Sequence, residues 1–523
     1  MTDDRAHAIP PEVIVPDNRL FLDLVAGSPS ATDLFERAPR AFAEAVARRD
    51  AAGSEDEARA ALCGELRTYN AGLGASAQTL NRIDSLGEPD TLCVITGQQA
   101  GFLGGPAYTA YKILTTVRLA ARLERDMARH VVPVFWLASE DHDIAEINRV
   151  RWMADRGEIG TVSFAWDGKG RAVETLPITD EISQAFADVL AGLPGTHRDA
   201  LDRFAPSAHD DYATWHARIW SRWFADEGLV VIEPRTLRPL ATAFFANALG
   251  RRDEIRAALR SGAGAVRAAG YEPPLDPDVA GSPFVVRSSG ERTRLAPDRP
   301  PTLGSDEAWS ADAALRPILA DSLFPTVATV LGPGEIAYHT MLRPLYESLG
   351  VPQPVVVPRH GYTLLDPSEA ELLQRLDIPV ESAVSPDFDP SPAIEAAVPE
   401  DIRRAFGDAR TALRASLAGL ESTVRELDPS LEARWRQATD RADREIEKLQ
   451  DRAARVALGR RGVSAAGLQA LLTSVHPGGR PQERALSFVG LAARFGVQWL
   501  RRLPGEDAPG RFSHYAVTIH EDH

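Results

Sequence analysis

The first segment with residue types suited to chemistry is a stretch rich in glycine and glutamine, TGQQAGFLGGP at residues 96–106. Glycines let the backbone approach a ligand closely, a helix start offers free N–H groups to an anion, and glutamine side chains both donate and accept hydrogen bonds. The stretch therefore suits a small, polar, anionic substrate, with a tight structural turn as the alternative. It has neither the GxGxxG nor the GxxxxGK[ST] spacing, so phosphate binding does not follow from the pattern. The candidate residues here and on the following helix are Gly97, Gln98, Gln99, Gly101, Gly105, Tyr108 and Lys112.

The second candidate segment is the acidic cluster Glu140-Asp141-His142-Asp143, with Glu146 close behind it. Such a cluster can orient the histidine as a general base, hold an amine or bind a metal. A transition-metal site would require further nitrogen donors at spacings such as HxH or HxxxH, which do not accompany it, so we expect no metal. Carboxylates that only cap the next helix are the structural alternative.

The third candidate segment, GPGEIAY, contains Gly334, Glu335 and Tyr338. Glycines on both sides of a proline force a particular turn, and Glu335 then begins a helix whose N-terminus favours a negative charge. These residues are candidates for substrate binding, with a simple helix cap as the alternative. Arg359 follows the next predicted strand, where its guanidinium can hold a carboxylate through two hydrogen bonds.

The fourth candidate segment is HPGGRPQER at residues 476–484. Gly478 and Gly479 predict a turn, and Arg480 and Arg484 carry the charge that a nucleotide phosphate requires. These four residues form the candidate nucleotide-binding element, although the last residues of the segment also suit the start of a helix.

The pattern of apolar residues predicts the scaffold that positions these segments. Five short apolar runs are typical of buried strands, and most of them lead into stretches with helical spacing. This alternation favours an α/β protein with a Rossmann-like parallel sheet, in which ligands bind beyond the carboxyl ends of the strands. The predicted strands are Thr91–Thr96, Val131–Ala138, Leu229–Glu233, Thr326–Leu331 and Pro354–Pro358.

The remaining segments are predicted to surround this core. Residues 1–90 have helical spacing and are expected to pack on the core, which spans residues 91–398. Insertions at about 150–225 and 236–325 interrupt the core and contain predicted hairpins at Val150–Trp166 and Phe284–Leu295. Residues 463–523 are expected to return to the core.

Residues 399–462 predict a long antiparallel coiled-coil arm. Apolar residues recur at intervals of three, four or seven on both sides of Asp428-Pro429-Ser430, where aspartate can cap a helix and proline can begin one. A narrow apolar seam on so long a pair of helices leaves apolar surface for a second copy of the chain. We therefore predict a homodimer through this arm.

Composition limits the partners and the compartment. The 523 residues carry a net charge of -16, which disfavours nucleic acid or an anionic membrane because either would require a concentrated basic surface. The two cysteines, Cys63 and Cys93, are too few for a disulfide framework or a cysteine zinc site, so a reducing cytoplasm fits best. We expect no secretion signal, and no apolar run approaches the roughly 20 residues of a membrane-spanning helix.

Taken together, the motifs resemble those of one enzyme family. The segments TGQQAGFLGGPAYTAYK, PVFWLASEDHDIAEIN, LRPILADSLFPTVATVLGPGEIAYH, VPQPVVVPR and HPGGRPQER occur in this order, with the coiled-coil stretch before the last. In these segments, and over nearly its whole length, the chain resembles the cysteine-adding ligases of bacillithiol biosynthesis. The resemblance implies a Rossmann-fold core with connecting-peptide insertions, similar in plan to class I synthetases, and a dimer-forming coiled-coil arm.

The resemblance also implies a reaction. A ligase of this family would join the carboxyl group of L-cysteine to the amine of glucosaminyl-malate in the last step of bacillithiol biosynthesis, forming a carbon–nitrogen bond. Amide formation in water requires an activated carboxyl group, so ATP with Mg²⁺ is the expected co-substrate, and we expect no tightly bound cofactor. The chain has neither the HIGH nor the KMSKS signature of class I synthetases, so the fold plan alone does not imply adenylate chemistry.

By the same resemblance, two motifs receive roles. The Gln98-Gln99 loop and Lys112 are expected to hold anionic groups, while Asp141 and His142 are expected to orient and deprotonate the incoming amine. Two other functions fit the same residues. One is a metal-dependent hydrolase or lyase that uses the acidic cluster, and the other is a non-catalytic, nucleotide-responsive scaffold whose arm recruits a partner.

Overall fold

A computed structural model describes residues 6–36, 41–53, 56–154, 157–168, 170–194, 197–207, 209–296, 302–505 and 511–520 of the protein. The strands in this part of the chain are β1 Ala6–Ile9, β2 Leu92–Gln98, β3 Val131–Leu137, β4 Arg149–Met153, β5 Ile159–Ser163, β6 Val230–Ile232, β7 Phe284–Arg287, β8 Arg292–Arg294, β9 Glu307–Ser310, β10 Thr326–Leu331, β11 Val355–Pro358, β12 Gly361–Leu365 and β13 His514–Thr518.

The helices of the same part of the chain alternate with these strands or lie beside them. They are α1 Pro11–Ile14, α2 Arg19–Ala26, α3 Pro29–Thr32, α4 Phe42–Ala52, α5 Asp56–Leu73, α6 Ala77–Ser85, α7 Ala107–Met127, α8 Ile144–Ile147, α9 Asp180–Gly192, α10 Tyr212–Trp223, α11 Pro234–Gly250, α12 Arg252–Ala268, α13 Leu315–Leu323, α14 Pro333–His339, α15 Arg343–Leu349, α16 Pro367–Arg375, α17 Val380–Ala383, α18 Ser391–Ala397, α19 Glu400–Leu427, α20 Glu432–Arg460, α21 Ala465–Val475, α22 Gln482–Ala485 and α23 Phe488–Phe495.

The centre of the fold is a five-stranded parallel sheet in the order β11-β10-β2-β3-β6. All five predicted strands are in it, which confirms the prediction of a Rossmann-like sheet. Their side chains are buried on both faces, as expected for parallel strands covered by helices. Because every strand runs in the same direction, the residues that follow β2, β3 and β10 reach the same edge of the sheet.

Helix α7 connects β2 to β3 and packs against both. Most of its residues between Ala107 and Leu123 are buried, because one face covers the sheet and another contacts the C-terminal helices α22 and α23. Lys112 lies on this buried surface although its side chain is charged. Cys93, inside β2, is fully buried, and burial raises the pKa of its thiol, as expected for an unreactive core cysteine.

Both predicted hairpins form. Strands β4 and β5 pair antiparallel, and residues 155 and 156 of the turn between them lie outside the described part of the chain. Strands β7 and β8 also pair antiparallel, and β9, which the sequence pattern did not predict, adds to the other edge of β7. This small sheet carries residues to the edge of the central sheet, as described below.

The predicted helical arm is confirmed. Helices α19 and α20 pack on each other and are joined by a short turn in which the Asp428 carboxylate accepts a hydrogen bond from the backbone N–H of Ser430. Four large apolar side chains on this pair are more than half exposed: Leu420, Leu427, Leu449 and Val456.

One sheet was missed by the sequence analysis. Strand β1 pairs antiparallel with β13, and β13 pairs parallel with β12, so segments from the N-terminal and C-terminal parts of the chain share one sheet. The N-terminal segment is therefore not wholly helical as predicted, because Ala6–Ile9 is a strand. Four residues are too few to show a periodic pattern, and their partners lie about 500 positions away.

Candidate active site

A cavity of about 390 Å³ lies at the carboxyl edge of the central sheet. We call it the sheet-edge cavity. The ends of β2, β3 and β10 border it, together with α13, α14 and the small sheet of β7, β8 and β9. Open α/β sheets bind their ligands at this edge. The predicted residues that line it are Gly97, Gln98, Gln99, Glu140, Asp141, His142, Glu335 and Tyr338.

A direct contact joins the first two candidate motifs. Nε2 of Gln99 donates to Oδ2 of Asp141 at 2.6 Å. The contact follows from the sheet, since β2 and β3 are paired through Gln98 and Leu137, and the N–H of Ala138 then donates to the carbonyl of Gln98. Two segments separated by some forty residues therefore place their polar groups in one cavity, as the strand pattern predicted.

The surroundings of Asp141 favour its ionised form. Burial raises the pKa of this carboxyl, but hydrogen bonds from Gln99 and from the backbone N–H of His142, with the charges of Arg292 and Arg316, outweigh burial and lower it. A carboxylate at this position therefore remains negative at neutral pH and can attract an ammonium group.

Lys112 connects the first and third motifs beneath the cavity. Its ammonium donates to the carbonyl of Gly97, to Oε1 of Gln98 at 3.1 Å and to Oε2 of Glu335 at 2.6 Å. Oε2 of Glu335 also accepts the N–H of Gly332 at the start of α14. The lysine thus holds the end of β2 and the start of α14 in a fixed relation.

Burial and ion pairing have opposite effects on the pKa of Lys112, and likewise on the pKa of Glu335. Burial lowers the pKa of Lys112, and the Glu335 carboxylate partly offsets that effect. Burial raises the pKa of Glu335, but attraction and hydrogen bonding from Lys112 and the N–H of Gly332 lower it overall. The three N–H donors of Lys112 already have acceptors within the protein. A substrate anion would have to compete with these acceptors to be held by Lys112 as predicted.

Arg292, on β8, is a site residue that the sequence analysis missed. Its guanidinium lies over the ring of Phe284, donates to the carbonyl of Ala311 at 2.9 Å and approaches Oδ1 of Asp141 at 3.7 Å. Nδ1 of the exposed His142 ring is 3.4 Å from its Nη1. The hairpin pattern predicted the strand but showed nothing of where this side chain would lie.

Arg316 and Ser310 are two further residues that the sequence analysis missed. Nη2 of Arg316, at the start of α13, donates to the hydroxyl of Tyr338 at 3.3 Å and lines the cavity. The hydroxyl of Ser310, at the end of β9, donates to the buried carboxylate of Glu140. Glu140 is therefore anchored to the insertion through one carboxylate oxygen and still lines the cavity, so its predicted role in substrate binding stays a prediction.

Asp143 caps a helix in this structure, and its predicted catalytic role stays a prediction. Its Oδ1 accepts the backbone N–H of Ala145 and caps the short helix α8. It does not line the sheet-edge cavity. This is the helix-capping alternative for the acidic cluster, and it applies to one of its three carboxylates.

Arg359 does clamp a carboxylate with two hydrogen bonds, but the carboxylate belongs to the protein. Its Nη1 and Nη2 donate to Oε2 and Oε1 of Glu483 at 2.9 and 2.5 Å, and both side chains are buried. The ring of Tyr108 lies 5.5 Å from the guanidinium carbon, and the hydroxyl of Tyr108 accepts from Nε2 of Gln98. Arg359 therefore fixes the position of Glu483, and its predicted role in substrate binding stays a prediction.

The predicted glycines differ in their surroundings. A Cβ on Gly101 would lie 2.6 Å from the Cα of Gly105, so this turn needs both glycines for its close backbone approach. A Cβ on Gly97 would come within 3.1 Å of the carbonyl of Trp136. Gly334 is open to solvent and lines neither this cavity nor the one described next.

A second cavity, of about 350 Å³, shares Gln98, Gln99 and Glu146 with the sheet-edge cavity. We call it the arginine cavity. Two of the four predicted nucleotide-binding residues, Arg480 and Arg484, line it. Gly478 and Gly479 do not line it; both have positive φ, in the turn that precedes α22. Gly101 and Tyr108 also belong to this cavity.

Within the described residues, no group of three or more His, Cys, Asp or Glu side chains is arranged to hold a metal ion. In the same part of the chain, no helix combines the length and apolar character needed to cross a membrane.

A parallel sheet with its cavity at the carboxyl edge, followed by a helical hairpin, defines a Rossmann-like α/β protein with a C-terminal coiled coil. The family model for the N-terminal Rossmann-like domain of the bacillithiol biosynthesis protein BshC matches residues 8–300 and 302–360. The model for the C-terminal coiled-coil domain of BshC matches residues 362–519. The chain therefore belongs to the BshC family of bacillithiol biosynthesis, which confirms the resemblance found in its motifs.

Individual relatives agree with this assignment. The chain is 31% identical over 501 residues to "Putative cysteine ligase BshC" of Symbiobacterium thermophilum, which covers 88% of this chain and 90% of that protein. It is 29% identical over 491 residues to the protein of the same name from Geobacillus thermodenitrificans, with coverage of 88% and 90%. The relatives are thus named as ligases.

Proposed function

We propose that this protein is a cysteine ligase that joins the carboxyl group of L-cysteine to the amine of glucosaminyl-malate in the last step of bacillithiol biosynthesis. The observation that carries the proposal is the contact between Gln99 and Asp141 in one open cavity, where anionic and cationic side chains face the same space. Joining a carboxylate to an ammonium group requires both kinds of charge. The names of the relatives supply the substrate cysteine.

The cationic side of the cavity suits the carboxyl group of cysteine. Arg292 and Arg316 line it, and their guanidinium groups can hold a carboxylate or the oxyanion that forms when it is attacked. Arg292 is fixed by Phe284 and by the carbonyl of Ala311, so its position is set before a substrate binds. Such preorganised charge stabilises a developing oxyanion without reorganisation during the reaction.

The anionic side suits the incoming amine. Asp141 attracts the ammonium form, and His142 is exposed to the cavity within 3.6 Å of Oδ1 of Asp141. The ring can accept a proton at Nε2 when its Nδ1 carries hydrogen and faces Asp141. For this, Nδ1 of His142 must leave its contact with Arg292 and turn to Asp141. A substrate carboxylate that binds Arg292 would favour this change.

ATP with Mg²⁺ activates the carboxyl group in this proposal. An oxygen of the cysteine carboxylate attacks the γ-phosphorus of ATP and displaces ADP, or attacks the α-phosphorus and displaces pyrophosphate. When the amine attacks, the bond between the carboxyl carbon and this oxygen breaks, and the oxygen leaves in phosphate or in AMP. The amine nitrogen forms the new bond to the carboxyl carbon, and its proton passes to His142. One water is thereby removed in total, with its oxygen retained in the nucleotide product or in phosphate.

The test is to incubate the protein with glucosaminyl-malate, Mg-ATP and cysteine that carries ¹⁸O in its carboxyl group. We expect a thiol product with the mass of the labelled cysteine plus glucosaminyl-malate minus one H₂¹⁸O, so that one ¹⁸O stays in the amide and one appears in AMP or in phosphate. Label in AMP identifies an adenylate, and label in phosphate identifies an acyl phosphate. Absence of the condensed thiol under these conditions would contradict the proposal.

The matched variants for this test are Asp141→Asn and Asp126→Asn. Asp126 is an exposed acid that pairs with Arg122 on the outer surface of α7, far along the helix from the cavity. Asp141→Asn removes the charge that attracts the amine and should slow condensation by tenfold or more, roughly the effect of one charged contact. Asp126→Asn should leave the rate as it is.

A further inference from the structure

The arginine cavity is lined by four arginines from two distant parts of the chain. Arg149 and Arg151 come from β4, and Arg480 and Arg484 come from the segment before and within α22. On the part of the wall that the structure describes, one carboxylate, Glu146, faces these four guanidinium groups. Arg149 donates to the backbone carbonyl of Ala145, which carries no negative charge. In a chain with net charge -16, this concentration of positive charge is local.

Backbone contacts fix the two pairs of arginines relative to each other. The N–H and the hydroxyl of Ser487 both donate to the carbonyl of Arg151, at 2.8 and 2.6 Å. The N–H of Ala107, the first residue of α7, donates to the carbonyl of Leu486. The C-terminal segment is thus joined to β4 and to the start of α7, so the arginines surround the cavity on a rigid frame.

Two further features of the wall suit an anion. The 21-residue helix α7 begins at the cavity with Pro106 and Tyr108, so the positive end of its dipole adds to the charge of the arginines. Thr109 also lines the cavity; the residue is 1% exposed, and its buried hydroxyl has no hydrogen-bond partner among the described residues. Buried hydroxyl groups are normally hydrogen-bonded, so this one requires a partner, which a bound water or a ligand oxygen can supply.

We propose that the arginine cavity is a subsite for a polyanionic group, one that carries at least two negative charges on oxygen atoms. Guanidinium groups bind carboxylate and phosphate oxygens in pairs, and four of them exceed what a single carboxylate requires. Two groups in the proposed reaction have this chemistry: the malyl dicarboxylate of glucosaminyl-malate and the phosphate chain of ATP. This choice of ligands rests on the proposed function, whereas the subsite itself rests on the four arginines and the frame that holds them.

The location of the subsite gives it a role. Gln98, Gln99 and Glu146 form a wall common to both cavities. A molecule anchored by its anionic end among the arginines can therefore extend past this wall and present its other end to Asp141 and Arg292. The subsite would then position one substrate for reaction in the sheet-edge cavity.

Isothermal titration calorimetry with two separate probes, malate and inorganic tripolyphosphate, tests the subsite. The variant Arg151→Gln/Arg484→Gln removes one arginine from each side of the cavity. Its matched control, Arg404→Gln/Arg436→Gln, makes the same change in net charge at exposed positions of the coiled-coil arm. We expect the cavity variant to bind at least one probe about tenfold more weakly than the control does, with a shallower dependence on salt.

Each outcome has a defined meaning. Weaker binding of malate assigns the subsite to the dicarboxylate, and weaker binding of tripolyphosphate assigns it to the phosphate chain. The proposal is overturned if the wild-type protein binds neither probe, or if both probes bind the cavity variant and the control equally. Arg480→Gln, at an exposed position of the turn, replaces the double variant if that variant does not fold. Because binding is measured without turnover, a protein that binds the probes but forms no amide refutes the proposed function and leaves the subsite intact.

Discussion

Glu483→Gln is expected to destabilise the protein, because it removes the carboxylate that is hydrogen-bonded to the buried guanidinium of Arg359. The two side chains are 5% and 4% exposed and share two hydrogen bonds. Removal of one partner from such a buried pair costs about 3–5 kcal/mol, most of which is the penalty for the charge that remains. The carbonyl of His360, which accepts from Nη1 of Arg359, provides a hydrogen bond but no negative charge.

The measurement is the apparent free energy of unfolding in urea, followed by tryptophan fluorescence. Arg359→Met/Glu483→Leu should be less destabilised than Glu483→Gln, because neither charge is left behind. Asp278→Asn breaks an exposed pair with Arg260 and should cost less than about 1 kcal/mol. The reasoning is refuted if Glu483→Gln unfolds like the wild type while its KM for a substrate rises about tenfold, since Arg359 would then bind substrate.

Three further predictions concern turnover, pH and assembly. His142→Ala should lower kcat about 100-fold or more with little change in substrate affinity. The control His130→Ala, at an exposed site, should change neither kcat nor substrate affinity. If His142→Ala turned over at the rate of the wild type, the histidine would have no part in the mechanism. Burial lowers the pKa of His216 from 6.5 to about 4, so the unfolded chain binds a proton at this residue before the folded protein does. The stability that the neutral ring contributes should therefore be present above pH 6.5 and be lost as the pH falls towards 4. Thermal unfolding measured from pH 7 to 4 should show this loss, and a melting temperature that does not change with pH would contradict it. The exposed Leu420 and Leu449 predict self-association through the arm, and light scattering that shows a monomer at micromolar concentration would contradict this prediction.

The histidine prediction has a specific structural origin. Nδ1 of His216 is 2.8 Å from the carbonyl of Gly101, and its Nε2 accepts the indole N–H of Trp220. The ring is therefore neutral, with its proton on Nδ1, and it holds the glycine turn of the first motif. Protonation at Nε2 would place two donors opposite each other, which adds to the cost of charging a buried ring.

Local pattern was sufficient for the sheet, the hairpins and the arm. Apolar runs such as Val131–Leu137 have the length and composition of buried parallel strands, and polar residues directly behind them were correctly expected at one edge of the sheet. The convergence of Gln99 and Asp141 followed from that rule, because parallel neighbours end at the same edge. The heptad-like spacing similarly predicted α19 and α20, since a helical pair needs a repeated apolar face.

Local sequence patterns therefore specified the strands and helices, the fold class and the edge of the sheet at which the polar motifs would meet. The tertiary structure alone decided which groups became partners. Arg359 was predicted to clamp a substrate carboxylate, whereas the carboxylate that it binds here belongs to Glu483, 124 positions away, and Arg292 reaches Asp141 from a separate insertion. Short elements such as β1 and β13 likewise pair across the length of the chain. The spacing of apolar residues shows which face of a helix or strand is buried, because it depends only on that segment. Contacts between distant segments depend on how the whole chain folds, and they produce no repeating pattern in either segment.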